Sequence, residues 1–597
     1  MRCDGTAPCG RCISHNVVCR YEAPYLRRKQ SHISTEVEKR EDDESMQPSR
    51  SSSSGREYHD TNVKRECNIG EKSLRDPDDM EDIGGSSSIA FLNRARRRLE
   101  RYRASARFSF GDSQIPDFDA ASFVLPSVDE ARHLVAYYFD YIASTHRFLH
   151  RPTIESQLES FYSDRNLIMC GRSLDRCICA SLFTIFAQAS LYLHPCPDSG
   201  VSYYLAAERQ VESQQGTKLE SVQARLLMVL YLLMSSRFNR AWSLLGTTIR
   251  MAQVLGLHRK HDRKQGNVVE MESSKRTFWT CYVVDRTLSV LLGRPCAIHD
   301  LDVDQDLPRL VDDDDLHLRL NEDGHITCPL SISNQTLIGA SCEHIKLSQI
   351  VSAILSDFYS AKKVVRECLA ENHLYRLSMW KGNLPPFLDA EKPEPDTLVP
   401  IIKRARITLQ FAYHHAMMLV YRPFLLASPN EFSPAWVETA TSECLRLSGL
   451  LVSFTTNLAQ QGMLTGAFWF SIYNAFNAIL IVYVHTIQNV FPGMVPSDIF
   501  SIAENCEETL NAHTQGNVLA QRYLAVLQEL RSEIKEQMSS CDSANAGLDL
   551  LLEAPNLAAR PQNSDWYAFD TFLMDTLTGQ LFESDPQTQL AQSQIAL

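Results

Sequence analysis

Four cysteines crowd the first nineteen residues, MRCDGTAPCGRCISHNVVC, at the spacing C-x5-C-x2-C-x6-C. They are too dense for core filler, and they limit that segment more tightly than a hydrophobic pattern could. Zinc takes about four ligands in a tetrahedron, and thiolates suit it. Gly5, Pro8 and Gly10 permit short loops that gather Cys3, Cys9, Cys12 and Cys19 around one point, which a long helix could not do. The reading is a zinc site on those four cysteines; the alternative is scattered thiols or a disulfide pair.

A net charge of −13 argues against a protein that coats nucleic acid along its whole surface. Local charge differs. Residues 1–30 carry Arg2, Arg11, Arg20, Arg27, Arg28 and Lys29 against Asp4 and Glu22, a net of +4. Residues 94–107 carry seven arginines against Glu100, a net of +6. Such tracts suit phosphate or an import receptor, or else form the solvated face of a linker. No apolar run opens the chain as a secretory signal does, so disulfides are not expected. The other thirteen of the 17 cysteines, as in Cys177-Ile178-Cys179, are expected as reduced core residues.

Arg2-Cys3-Asp4-Gly5, Pro8-Cys9, Cys12 and Cys19 resemble the second half of the fungal binuclear zinc-cluster (Zn2Cys6) DNA-binding module. In that module a C-x2-C and a basic run precede the matched segment. The resemblance implies zinc as cofactor, DNA as partner through short G·C-rich triplets, regulation of RNA polymerase II genes and a place in the nucleus. It sets the four cysteines at the third to sixth positions, Cys9 at a bridging one. It leaves Arg2, Arg11, Arg20, Arg27, Arg28 and Lys29 for phosphates, which position a protein without specifying sequence. Six cysteines, two of them bridging, hold two zinc ions; four hold one. The chain as given is therefore expected to bind one zinc, and to bind DNA weakly, with little discrimination and a steep salt dependence. The absent C-x2-C and basic run are expected in frame before Met1. Family members often form a homodimer through a coiled coil after the cluster, but no sustained heptad runs from Tyr21 to Ser54.

The chain as a whole reads as mostly α. Its expected parts are a partial zinc-cluster module (1–30), a disordered linker with a basic segment (31–114), a large all-α regulatory domain (115–540) and an acidic, disordered tail (541–597). The linker's serines and acids have little to bury; Arg94 to Arg107 fits a short basic helix with Leu92, Leu99 and Tyr102 on one side. From Ile115 apolar residues take helical spacing, and Ser127-Val128-Asp129-Glu130 has the form of a helix start. Helices are predicted over 177–193, 221–236, 240–256, 272–292, 345–370, 398–421, 435–458, 466–488 and 499–537, with a Pro- and acid-rich loop at 302–315. No Asp, Glu, Lys or Arg occurs from Leu447 to Ser497, a stretch long enough to span a membrane. Ser471, Asn474, Asn477 and His485 interrupt it and no Lys/Arg cluster flanks it, so a buried helix hairpin, with no membrane contact, is the better reading.

A second resemblance follows in the same order along the chain. Tyr138-Phe139 through His150-Arg151-Pro152-Thr153, Ala241-Trp242, Leu255-Gly256-Leu257-His258, Lys275 to Trp279, Asp285-Arg286, Leu292-Gly293-Arg294-Pro295 and Tyr421-Arg422-Pro423 are similar to the fungal-specific transcription-factor regulatory domain. By their own spacing these residues are structural. Phe278, Trp279, Tyr282, Val283, Leu288 and Leu291 line one helix face. Asp285 and Arg286 lie within that stripe and need ion-pair partners, while Lys275 and Arg276 precede it. Gly293 and then Pro295 stop the helix.

Enzyme readings fail on spacing. His146 and His150 lack the glutamate of HExxH. His414 and His415 would point about 100° apart on a helix. Asp312 to Asp315 lacks the glycine and glutamate of a calcium loop and reads as solvated acid. No phosphate-cradling glycine loop, nucleophile elbow or dinucleotide fingerprint occurs. In the tail, residues 561–597 carry five acids and no Lys or Arg, with Trp566, Phe569, Leu573 and Leu577 at helical spacing. That mixture suits the groove of a transcription coactivator, or docking back on the helical domain. The sequence thus reads as a non-enzyme: a zinc-dependent, sequence-specific transcription regulator. The alternative is a regulator without DNA reading, acting through partner or effector binding by its helical domain.

Overall fold

The computed structural model describes residues 86–98, 112, 115–116, 123–163, 175–194, 199–212, 218–260, 267–314, 316, 336–360, 365–393, 398–427, 431–464, 468–491, 494–514 and 517–539. The chain divides between Arg75 and Asp76, and all of these residues lie in the second unit. Helices are the regular structure among them, and no strand occurs there. The first is α1 (Ser88–Arg98), followed by α2 (Val128–Tyr137), α3 (Arg151–Ser163), α4 (Arg176–Leu193), α5 (Val201–Glu212), α6 (Leu219–Met234) and α7 (Phe238–Val254). Then come α8 (Val268–Leu292), α9 (Leu337–Ile354), α10 (Glu367–Gly382) and α11 (Pro400–Leu425). The last four are α12 (Pro434–Gln460), α13 (Trp469–Asn489), α14 (Asp498–His513) and α15 (Val518–Ser539).

Local chemistry accounts for many of the boundaries. The Glu130 N–H donates to the Ser127 hydroxyl, with Asp129 and Glu130 in the first turn of α2, so capping and dipole agree. Asp175 and Asn267 cap α4 and α8 in the same way. The start of α7 is capped from a distance: the Asp112 carboxylate accepts from the N–H groups of Asn239 and Arg240 at 3.0 and 2.7 Å. Gly293 ends α8 at φ 69°, a conformation glycine adopts freely, and Pro295 prevents continuation.

Each predicted helix lies largely within a helix of the fold, but 345–370 and 499–537 each prove to be two. In the second case the Ala520 N–H donates to Asn517 Oδ1, which starts α15 afresh. Two helices continue into single π-helical turns, Tyr138–Ile142 after α2 and Leu355–Tyr359 after α9. The helical body also opens earlier than residue 115. Phe91, Leu92 and Ala95 of α1 are buried in its core, the Arg422 guanidinium donates to the Ser86 carbonyl, and Asp112 makes the cap just described. Leu99 and Tyr102, like the rest of the linker and the tail from 540, lie outside the described residues.

Neighbouring helices pack serially: α4 on α5 and α6, α6 on α7, α7 on α8, α8 on α9, α9 on α11, and α11 on α12. Beyond these, α12 packs on α13 and α14, and α13 on α14 and α15. One continuous apolar core runs from Phe91 to Ile534. Every residue from Arg276 to Arg286 of α8 is buried, so this helix is a central pillar rather than the one-sided helix its stripe predicts. By length and composition α4 and α13 could each cross a membrane; 67% and 89% of their apolar windows are buried inside the helical body.

Candidate functional site

The cysteines Cys3, Cys9, Cys12 and Cys19, and the cations Arg2, Arg11, Arg20, Arg27, Arg28 and Lys29, lie outside the described residues. Among the described residues no group of three or more His, Cys, Asp or Glu side chains could hold a metal ion. None of the described cysteines forms a disulfide. Cys281, Cys342, Cys444 and Cys506 are buried, and burial pushes each thiol up to about 12, as expected of inert core thiols. Cys368 departs from that expectation and is exposed.

The polar residues around α8 are occupied with each other. The Arg286 guanidinium pairs with Asp285, donates to Asp300 Oδ1 at 2.7 Å, to the Ile298 carbonyl at 2.8 Å and to Ser352 Oγ of α9 at 3.0 Å, and lies 4.1 Å from the centre of the Tyr282 ring. Asp285 in turn accepts from the N–H groups of Ala297 and Ile298. The expected bracing ion pairs are therefore present, and they clip the segment after Gly293 onto α8 and α9.

A second knot corrects the reading of the acidic loop. Asp313 is buried, not solvated: it pairs with Arg276 at 2.5 Å and Arg147 at 3.8 Å, and accepts from the Arg151 N–H at 3.1 Å. Burial works against that charge, but Arg276 and Arg147 hold Asp313 below the ordinary carboxylate range. Asp312 accepts from the Leu337 N–H at the start of α9. Of the two histidines four apart, His150 joins this knot through the Asp313 carbonyl and Thr153, whereas His146 faces elsewhere.

That elsewhere is a cavity of about 100 Å3, bounded by the π-helical turn after α2, by α4, α6, α9 and α11, and by the start of α13. His146 and His344 stack in its wall with ring centroids 5.6 Å apart, and neither Nδ1 has a hydrogen-bond partner. Burial pushes His146 down to about 4, and burial with His146 alongside pushes His344 down to about 3. Arg404 of α11, only 6% exposed, lines this cavity and an adjoining one of about 90 Å3. Its guanidinium carbon lies 3.8 Å from the ring centre of Tyr141, 4.0 Å from that of Phe468 and 5.2 Å from that of Tyr192. Nη2 donates to the Tyr192 hydroxyl at 3.3 Å, while Nε and Nη1 have no acceptor. No carboxylate among the described residues pairs with it.

Two segments of the chain match models of known protein families. Residues 1–28 match the fungal Zn(2)-Cys(6) binuclear cluster domain, and residues 135–374 match the fungal specific transcription factor domain. Over these two segments the chain is similar to fungal zinc-cluster regulators of transcription. The chain is 26% identical over 435 residues to Activator of stress genes 1 of Saccharomyces cerevisiae, covering 69% of this chain and 43% of that protein. It is 24% identical to Activator of stress genes protein 1 of Candida albicans, covering 60% of this chain and 40% of that one. With Transcription factor FBD3 of Gibberella moniliformis the identity is 25%, over 64% and 53% of the two chains. The chain thus spans about half or less of the length of these relatives. The matched regulatory region takes in α8, both polar knots and the walls that carry His146 and His344. Arg404 and Phe468 lie beyond it.

Sequence reasoning passed over Arg404. The available signal was an arginine in the apolar register of α11, three residues after Ile401 and four before Thr408. Nothing local tells such an arginine from one that leans into solvent.

Proposed function

We propose that this chain is a zinc-dependent, sequence-specific DNA-binding regulator of transcription by RNA polymerase II, acting in the nucleus. The observation that carries the reading is the order of two matches in one chain, the cluster domain at 1–28 and the regulatory domain at 135–374. The donor set suits the metal: Cys3, Cys9, Cys12 and Cys19 satisfy one tetrahedral zinc ion, which supplies a structural crosslink. Arg2, Arg11, Arg20, Arg27, Arg28 and Lys29 then meet phosphates beside it. The DNA partner is a duplex with short G·C-rich triplets, read at guanine edges in the major groove. A second copy of the chain, and a coactivator held by the acidic and aromatic tail 541–597, complete the partners. The reading needs neither a membrane nor a catalytic step.

One observation favours a second reading. Residues 1–28 hold four cysteines, where the matched domain is described by six. On four thiolates alone, the chain acts through partner or effector binding by its helical domain. A competition binding assay separates the two, using the full chain at near-physiological salt with G·C-triplet and scrambled duplexes, with and without a zinc chelator. Zinc-dependent preference for the triplets supports the first reading. Weak binding that ignores sequence and falls steeply with salt supports the second.

A further inference from the structure

Buried arginines in this fold are given acceptors. Arg276 and Arg286 pair with carboxylates, and Arg225, Arg406 and Arg422 donate to main-chain carbonyls. Arg404 has neither, although it is just as buried. Tyr141 and Phe468 cover its two sides at 3.8 and 4.0 Å, and cation–π attraction holds the guanidinium there. That attraction acts on the ring faces. It leaves Nε and Nη1 covered by neighbouring side chains and without acceptors, beside the two cavities that Arg404 lines.

We infer that this cavity is a binding site for a small organic carboxylate carrying an aromatic or apolar body, with Arg404 receiving the carboxylate. A carboxylate lying in the guanidinium plane accepts two parallel N–H bonds, and the flanking rings hold the plane ready for it. The body lies against Leu230, Met234 and Trp469, with the stacked rings of His146 and His344 in the same wall. Volumes of about 100 and 90 Å3, each below the about 150 Å3 of an engineered cavity that takes benzene, limit the ligand to a single ring at most. A π-helical turn, Tyr138–Ile142, forms one wall, and such turns often mark functional sites. The occupant would touch the turn after α2, α4, α6, α9, α11 and the start of α13 together, so its binding tightens the centre of the helical domain. The inference rests on the helical domain and not on the DNA-binding reading.

The test is calorimetric titration of the full chain, without DNA, using benzoate and phenylacetate. Benzamide and phenylacetamide serve as neutral isosteres, and acetate and inorganic phosphate as anions without a ring. The expected result is binding of at least one ring carboxylate at least tenfold tighter than its amide and than either ringless anion. Arg404→Gln should remove that preference. Because Arg404→Gln could also loosen the fold, Thr408→Phe is the second arm: it fills the cavity and leaves Arg404 in place. It should abolish binding while circular dichroism and the melting temperature stay near wild type. The inference is overturned if neither ring carboxylate binds at millimolar concentration, if amides bind as well as acids, or if acetate or phosphate binds as well as phenylacetate. Unchanged binding in both variants overturns it too.

Discussion

At the scale of single residues, the contrast between Asp285 and Arg404 separates structure from function. Asp285 holds Arg286 and two backbone N–H groups, so removing it leaves buried donors unmet. Asp285→Ala should cost about 3–5 kcal/mol in chemical denaturation. Asp302→Ala, at an exposed acid seventeen residues further along the chain, should change stability by less than about 0.5 kcal/mol. Equal effects would mean that the network does not brace the fold. The buried histidines set a pH dependence. His146, His344 and His415 are pushed by burial down to about 4, 3 and 3, while an unfolded chain protonates histidine near 6.5. Below about pH 6.5 the unfolded state takes up protons that the folded state refuses, so stability is full above that value and falls as pH drops towards 4 and 3. The denaturation midpoint should therefore be lower at pH 5 than at pH 7, and His344→Gln should reduce the difference. Against the effect of burial, the Ser352 hydroxyl and Arg286 hold Asp300 low and Arg276 and Arg147 hold Asp313 low, so both contribute only to losses at still lower pH.

At the scale of elements, helix existence followed from apolar spacing, but helix approach did not. Gly200, just before α5, sits at φ 74°, and a Cβ there would meet the Ala187 carbonyl oxygen of α4 at 2.5 Å. Neither backbone can give way, so Gly200→Ala should destabilise by more than about 2 kcal/mol. Gly462 has nearly the same φ, 67°, with nothing within 4 Å, so Gly462→Ala should cost only the backbone term of about 1 kcal/mol. Thermal melts of both variants check this; equal losses would remove the close α4–α5 approach as a cause. The α8 stripe shows the same division. Its aromatic and aliphatic positions were legible as buried, but the burial of Arg276 depends on loop 303–314 folding over it, and Thr277 meets Gln223 of α6. That loop reads as solvated acid until Arg276 and Arg147 are seen to neutralise Asp313.

At the scale of the whole molecule, the zinc segment and the helical body are expected to respond separately. Native mass spectrometry of the full chain should find one zinc, because four thiolates complete one tetrahedron. A chelator should release it and expose four reactive thiols, while the main melting transition stays in place. Two tightly held zinc ions, or a collapse of the helical transition on chelation, would refute this division. The sequence by itself determined the close spacing of the four cysteines, the all-helical character of the described body and most helix positions. Each rests on spacing within about thirty residues, and local geometry alone decides which side chains can share a point or a face. Tertiary structure decided the rest: that α1 belongs to the body, that Asp112 caps α7, that Asp313 is buried, and that Arg404 reaches a cavity without an acceptor. Each of these joins residues far apart in the chain, and whether a charge is matched inside a fold depends on what other helices bring beside it.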